Sequence, residues 1–453
     1  MWELPLDREA PNPGMTLRRL AGSLIPLAAK TSRGRRGEST PFGHDRDAPA
    51  DSPARTGALV PIVSAMLFAA AMLGLVLLAL QCIVLRRHLR GPVRAPARTP
   101  PISILKPLCG LDDRLAENLA SFATLAYPEY EVLLGLRSAE DPALGEAREA
   151  ARRWPGRFRI VLQRGEPGHN PKVNQLVTLA RVARHDLLVV SDSNVQVEPG
   201  YLAGIAAALE DEAVGLVTHP ISGVGEVRLG SVLDHLHLAG SIAPGVVAAK
   251  RLAGRDIVVG KSMALRRRDL DALGGFEAVK DVLAEDYVLG VMVGEILGKR
   301  VAVGQVPIHD VSERRTVGDF AARYRRWSVL QRQAVGPFVY SAQALLNPVL
   351  MACVAAAVER TPLALGLLAG TCAAKIAVDG ASARALREGG FPLRQLALVP
   401  AKDLVVGGAW LYGLFRRDVA WRGTRLVVRR GTRIEPRAAR AAYDESVAPA
   451  DAA

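Results

Sequence analysis

Cysteine is scarce in this 453-residue chain, with four residues: Cys82, Cys109, Cys353 and Cys372. They form no CxxC pair and no Cys/His pairing, which argues against a disulfide framework and a structural zinc site. The 42 glycines and 29 prolines follow no period, so a collagen-like fibre is excluded. Hydrophobic residues make up 49% and charged residues 23%, far from the composition of a wholly disordered chain. The net charge of +13 comes without an aromatic stacking platform. It therefore points to an anionic membrane rather than to nucleic acid.

Charge is missing altogether from Ala58 to Leu85. About 20 apolar residues cross a bilayer as a helix, so 58–85 reads as a transmembrane anchor. Pro61 near its start is tolerated there. A secretory signal is excluded by the length of the run, its depth in the chain and the lack of an A-x-A site. Arg86, Arg87, Arg90, Arg94 and Arg98 follow at once, and the positive-inside rule puts that flank in the cytoplasm. Residues 1–57 are polar and read as a disordered extension. Met66 is an alternative start that would leave 66–85 as a compact anchor.

A second apolar region spans 336–415. Segments 339–358 and 362–379 are each about a membrane thick, divided by Glu359-Arg360-Thr361-Pro362. A third, 396–415, carries Pro400, Lys402 and Asp403 and has basic residues on both flanks. Central charges cost about 2.5–3.5 kcal/mol each on insertion scales, which predicts a re-entrant or interfacial segment. Residues 416–453 read as a basic cytoplasmic tail.

Between anchor and membrane block, 101–335 reads as an α/β domain. Apolar runs at 102–105, 130–136, 158–163 and 186–192 alternate with helical stretches at 112–125, 142–153, 172–184 and 200–210, the pattern of a parallel sheet. Ligands of open α/β sheets bind at the carboxyl ends of strands. Acids stand there: Glu140-Asp141 after the second run and Asp192 closing the fourth, with Glu285-Asp286 further on. Such carboxylates either hold Mg²⁺ or Mn²⁺ or accept a proton from a hydroxyl. Arg323-Tyr324-Arg325-Arg326-Trp327 supplies guanidinium forks suited to phosphate; the same cluster also suits lipid headgroups. Lys106, Lys172 and His169-Asn170-Pro171 add polar groups near strand ends.

In order, the chain carries S-I-L-K-P-L-C-G-L-D (103–112), A-Y-P-E-Y-E-V-L-L (126–134), E-D-P-A (140–143), N-P-K-V-N-Q-L (170–176), S-D-S-N-V (191–195), A-E-D-Y (284–287) and R-Y-R-R-W (323–327). This series resembles the membrane-bound ceramide glucosyltransferase family, inverting glycosyltransferases of the GT-A fold. It covers about 101–330, and more loosely the membrane segments up to W-R-G-T-R (421–425). The resemblance implies a UDP-sugar donor, a lipid acceptor in the bilayer, and a multi-pass protein with its catalytic domain in the cytoplasm. It implies Asp286 as general base and Asp141 against the uridine. Asp192 would be the ligand of Mg²⁺ or Mn²⁺, although Asn194 stands where Asp-x-Asp motifs have their second acid. Arg323 and Arg326 would face the donor diphosphate, Lys172 would be a further donor-binding residue, and Trp327 and His219 would face the acceptor. Glucose transfer to ceramide is the favoured reading. Hopanoid-associated relatives that move an aminosugar to a polyol lipid share these motifs. Processive polysaccharide synthases share the aspartates and the R-x-x-R-W element. A non-catalytic scaffold would have no reason to keep all three aspartates with that element.

Overall fold

The structure is a computed structural model, and it describes residues 53–421 and 424–436. The extension expected over 1–57 lies mostly outside the described residues, as does the tail beyond 436.

The predicted α/β architecture is present. Its central sheet has seven strands: β1 (Ile102–Pro107), β2 (Tyr130–Leu136), β3 (Phe158–Leu162), β4 (Leu187–Ser191), β6 (Val214–Thr218), β8 (Ser262–Arg266) and β9 (Arg300–Val303), in the order β3-β2-β1-β4-β8-β6-β9. All neighbours run parallel except β8, which is antiparallel to both β4 and β6. A second sheet joins β5 (Val195–Gln196), β7 (Ile221–Val224) and β10 (Ile308–Val311).

Alternation along the strands divides the core. Ile102, Ile104, Val132, Leu134 and Val189 face one apolar layer; Leu105, Leu133, Leu188 and Val190 face the other. Strands covered on both faces read as unbroken apolar runs, which is why β1, β2 and β4, buried throughout, were visible in the sequence. Helices α2 (Leu115–Ala123), α3 (Leu144–Arg153), α4 (Pro171–Val182) and α5 (Tyr201–Leu209) fall between these strands. The chain leaves β1 toward β2 and β3, then returns to add β4 on the other side of β1. That reversal makes the carboxyl ends of β1 and β4 the crevice where open sheets take ligands.

Helix α1 (Pro53–Leu89) is long and uncharged through its centre. It packs on α11 (Pro348–Glu359) and α12 (Pro362–Leu386). Phe68 and Ala71 meet Ala352, Ala355, Ala356 and Ala364, small residues that let helices approach closely. Gly74 allows the closest approach, because a Cβ there would overlap the carbonyl oxygen of Leu345.

Among the described residues, four helical stretches are long and apolar enough to cross a membrane: Leu59–Leu89, Leu229–Ala253, Pro362–Leu386 and Leu393–Phe415. The second comprises α6 (Leu229–His237), a π turn and α7 (Ala243–Ala253), and it is mostly buried within the fold. It lies inside the stretch read as α/β domain.

Three of these segments show features beyond the sequence reading. Segment 339–358 is not one straight span: α10 (Val317–Ala342) and its short extension to Leu346 meet α11 at a 77° bend. Gly336, at φ 81°, precedes Pro337 inside α10, and the helix restarts at Asn347-Pro348, where the Asn347 side chain caps the Leu350 N–H. Proline at a first helical position favours such a restart. Segment 396–415 is helical, as α13 (Leu393–Leu396) and α14 (Val399–Phe415). Its charges are paired with those of α12. The basic tail begins with an antiparallel sheet of β11 (Asp418–Trp421), β12 (Thr424–Val428) and β13 (Ile434–Pro436). Val419, Leu426, Val428 and Ile434 pack this sheet on Leu283 and Val329.

Candidate active site

The site is built from strand ends and helix starts. Helix α4 begins at Asn170-Pro171: the Asn170 side chain accepts from the N–H groups of Lys172 and Val173. Its Nδ2 donates to the Val282 carbonyl at 2.7 Å and to Glu285 Oε2 at 3.3 Å. This cap places Lys172 in the first turn, facing the end of β4. Lys172 Nζ lies 2.8 Å from Asp192 Oδ1, 2.9 Å from Glu285 Oε1 and 3.0 Å from the Gly260 carbonyl. Burial pushes its ammonium down, but Asp192 and Glu285 outweigh this and hold it well above the ordinary lysine range. Burial likewise raises Asp192, and Lys172 and Lys261 reverse the effect, keeping it ionised.

Asp286 stands in the first turn of α9 (Glu285–Glu295). Gly260 N–H donates to its Oδ2 at 2.7 Å and Tyr287 N–H to its Oδ1 at 2.8 Å. Burial and the neighbouring Glu285 push it up to about 6, against Lys172 and the two N–H donors. It is therefore mostly ionised at neutral pH and able to take up a proton, the range a general base requires. The Asp286 segment is braced by the C-terminal sheet: Leu283 N–H donates to the Thr432 carbonyl and Ile434 N–H to that of Asp281, both at 2.9 Å.

Lys261 was not visible in the sequence as a site residue. Its Nζ is 2.7 Å from both Asn194 Oδ1 and Asp310 Oδ1, and 3.7 Å from Asp192 Oδ2. It precedes β8. Because β8 runs antiparallel, its amino end lies at the same sheet edge as the carboxyl end of β4. Asp310 is fully buried and held far below the usual carboxylate range by Lys261, with Arg323 and Arg315, against the cost of burial. Lys106, fully buried on β1, gives Nζ to the Asp192 carbonyl at 2.7 Å, and burial lowers it to about 7.

Lys172, Asp192, Asn194, Lys261, Glu285 and Asp286 line one cavity of about 1340 Å³. Lys172, Asp192, Lys261 and Asp286 form a polar end, joined by Arg326 and Trp327 from α10. Leu77 and Leu80 of α1, Val246, Ala249 and Leu252 of α7, and Leu346 and Leu350 carry the same cavity into the apolar helices.

Three expected residues behave differently. Arg323 is not an open fork. Its Nη1 lies 3.0 Å from Asp234 Oδ2 and 3.5 Å from Asp310 Oδ2, and its guanidinium stacks 4.6 Å from the Trp327 ring centre. Asp234, fully buried on α6, also accepts from the Tyr324 hydroxyl at 2.9 Å and from Arg315 at 2.9 Å. The basic-aromatic motif is thus anchored by an acid about 90 residues away in sequence, which nothing local reveals. Asp141 does not line the cavity. Its Oδ1 accepts from Gly110 N–H and Ala143 N–H, both at 2.9 Å, and so holds the loop after β1, whose Leu108, Cys109 and Asp112 do line it. Gly110 has φ 71°, a conformation suited to glycine. His219 is buried beneath the site. Its Nδ1 is 2.8 Å from Ser262 Oγ, its ring is 5.0 Å from that of Tyr201, and burial lowers it to about 3. It is not among the residues that line the cavity.

Among the described residues no three His, Cys, Asp or Glu side chains converge on a metal position. Asp192 offers a carboxylate that is 28% exposed, with Lys172 Nζ 2.8 Å from Oδ1 and Lys261 Nζ 3.7 Å from Oδ2; Asp112 and Asp286 line the same cavity. Mg²⁺ is commonly held by one or two carboxylates completed by substrate phosphate and water.

The ceramide glucosyltransferase 1 of Caenorhabditis elegans is 30% identical over 255 residues, covering 54% of this chain and 52% of that protein. The ceramide glucosyltransferase of Komagataella phaffii is 28% identical over 204 residues, covering 40% of each. The chain spans about half the length of the former and less of the latter. A solved mannosyltransferase from Pyrobaculum calidifontis, in complex with GDP-Man and Mn²⁺, is 20% identical with a TM-score of 0.44, covering 78% of this chain and 99% of that one. The model of the family described as glycosyl transferase family 21 matches residues 66–434, and the chain belongs to that family.

Proposed function

We propose that this protein transfers a hexose, glucose in the favoured reading, from a UDP-sugar to a hydroxyl of ceramide or a similar membrane lipid, with inversion at the sugar carbon. The observation that carries this reading is the single cavity joining a charged end, with Asp192, Lys172 and Asp286, to an apolar end between α1 and α7. A charged diphosphate suits the first and acyl chains the second.

Asp286 accepts the proton of the acceptor hydroxyl as its oxygen attacks the anomeric carbon. The bond from that carbon to the diphosphate oxygen breaks, and its electron pair leaves with UDP. Lys172, Lys261 and Arg326 supply positive charge around the departing group, the electrostatic contribution that usually dominates such steps. Asp192 would hold a Mg²⁺ or Mn²⁺ arriving with the donor, which would supply further charge neutralisation. Arg323 positions Trp327 and Asp310 rather than gripping phosphate itself. Asp141 shapes the donor pocket through the Gly110 loop. The basic residues after α1 favour a cytoplasmic catalytic domain.

The test is a transfer assay on membranes carrying the protein. Labelled UDP-glucose, UDP-galactose and UDP-N-acetylglucosamine are each offered with ceramide or bacteriohopanetetrol, plus Mg²⁺ or Mn²⁺. A monoglycosylated lipid that disappears in Asp286→Asn, with UDP binding retained, is the expected result. A polymeric product, or no lipid product from a folded protein that binds UDP, overturns the reading.

A further inference from the structure

A second, smaller cavity of about 350 Å³ lies where the ends of α1 and α12 pack together. Arg86 and Leu89 of α1, Arg90 directly after it, and Ala381, Arg384 and Ala385 of α12 line it. No carboxylate does, and no residue of it lines the catalytic cavity. Among the described residues the three guanidinium groups have no ion pair and no side-chain hydrogen bond. Their neighbours along the chain differ: Arg94 is paired with Glu210 and Arg387 with Glu226. Arg86 and Arg90 stand four apart, a spacing at which like charges on a helix repel. Arg384 adds a third positive charge to the same cavity, and its stem lies over Gly390, where a Cβ would stand 2.8 Å from Cγ. Three cations thus converge with no counter-charge.

The setting is a membrane boundary. The chain is uncharged from Ala58 to Leu85, and Arg86 is the first charge after that run. Ile83, one turn before Arg86, is 47% exposed. Ala377 and Ala374, one and two turns before Ala381, are exposed as well. Both helices therefore present apolar surface on the bilayer side of the arginines, and Leu89, Ala381 and Ala385 continue it into the cavity. An anion that carries its own acyl chains satisfies both parts, whereas a free phosphate leaves the apolar part uncovered.

We propose that this cavity binds the phosphate of an anionic phospholipid in the leaflet next to the catalytic domain. Guanidinium forks match phosphate oxygens, and basic pockets between membrane helices suit anionic head groups. Arginines that only set orientation need not share a cavity. The same turn docks α1 on the α/β domain. Arg251 Nη2 donates to His88 Nδ1 at 3.0 Å, so His88 Nε2 carries the proton and donates to the Gly304 carbonyl, just after β9, at 3.0 Å. A phosphate shared by Arg86, Arg90 and Arg384 fastens the ends of two apolar helices at this joint.

The experiment is native mass spectrometry of the detergent-solubilised full chain, titrated with phosphatidylglycerol, phosphatidylcholine or inorganic phosphate. One phosphatidylglycerol is expected to bind in preference to phosphatidylcholine. Arg86→Gln and Arg384→Gln should each weaken it about tenfold, the scale of a hydrogen bond to a charged group. Arg87→Gln, on the same turn but outside the cavity, should leave it unchanged. Ala381→Phe fills the cavity with every charge retained and should abolish binding. An equal loss in Arg87→Gln shows diffuse attraction and overturns the site, as does binding that survives Ala381→Phe. Equal affinity for the two lipids overturns the preference for an anionic head, and displacement of phosphatidylglycerol by inorganic phosphate overturns the lipid source. Arg86, Arg87 and Arg384 are exposed, so their variants keep the fold; should Ala381→Phe lose it, the contrast between Arg86→Gln and Arg87→Gln decides alone.

Discussion

Asp286 and Glu285 adjoin at the start of α9, yet their surroundings divide their roles. Glu285 is paired with Lys172; Asp286 receives two backbone N–H groups and is pushed up to about 6 by burial and by Glu285. If Asp286 is the base, only its ionised form works. Transfer is then expected to fall as pH drops through about 6 and to level off above it. Glu285→Gln removes one of the raising charges, so the acid limb of the kcat/KM profile should move to lower pH. An unmoved limb would mean that another group governs it. Asp286→Asn should cost about 10²–10⁴-fold in rate, the span of general-base contributions, with UDP affinity retained in equilibrium binding. The sequence exposed Asp192, Asp286, Lys172 and Trp327 because each sits in a short ordered motif. It did not expose Lys261 or Asp310, whose meeting depends on β8 and β10 arriving at one edge from far along the chain.

Among the elements, α4 and the 282–285 segment are joined by one side chain. Asn170 caps the helix and also donates to Val282 and Glu285. Losing a cap of this type costs about 1 kcal/mol, and leaving the buried Val282 carbonyl without its donor about 1–3 kcal/mol. Asn170→Ala is therefore expected to destabilise the fold by about 2–4 kcal/mol in denaturant titration. It should lower kcat more than its stability loss explains, since Lys172 and Asp286 lose their common reference. The N-P-K motif thus has a local reason, the proline-started helix, and a distant one that only the packing shows. The bend before α11 divides in the same way. Gly336-Pro337 and Asn347-Pro348 are legible as breaks, but an apolar run of membrane length outweighs them when the sequence is read alone.

Across the whole molecule, the long apolar helices and the central sheet share one cavity, and the ionic cluster of Lys375 and Asp379 on α12 with Lys402 and Asp403 on α14 ties two of those helices together. Breaking a buried pair by removing one partner costs about 3–5 kcal/mol. Asp379→Asn leaves two lysines sharing Asp403, so a loss of that size is expected in thermal unfolding of the detergent-solubilised protein, with little response to added salt because the charges are shielded from ions. Orientation is checked separately: in sealed inverted vesicles, protease should reach the basic segment after α1, and protection there would reverse the proposed topology. The sequence by itself determined the long apolar N-terminal helix, the α/β class and the family, because uncharged length, strand–helix alternation and ordered motifs are local properties of the chain. Tertiary structure alone decided that α14 carries its charges in pairs, that His219 belongs to the core, that Arg323 is bound by Asp234 and that Asp403 borders the cavity. Each of these depends on partners tens to hundreds of residues away, and a buried charge or hydrogen bond takes its meaning from the group it meets.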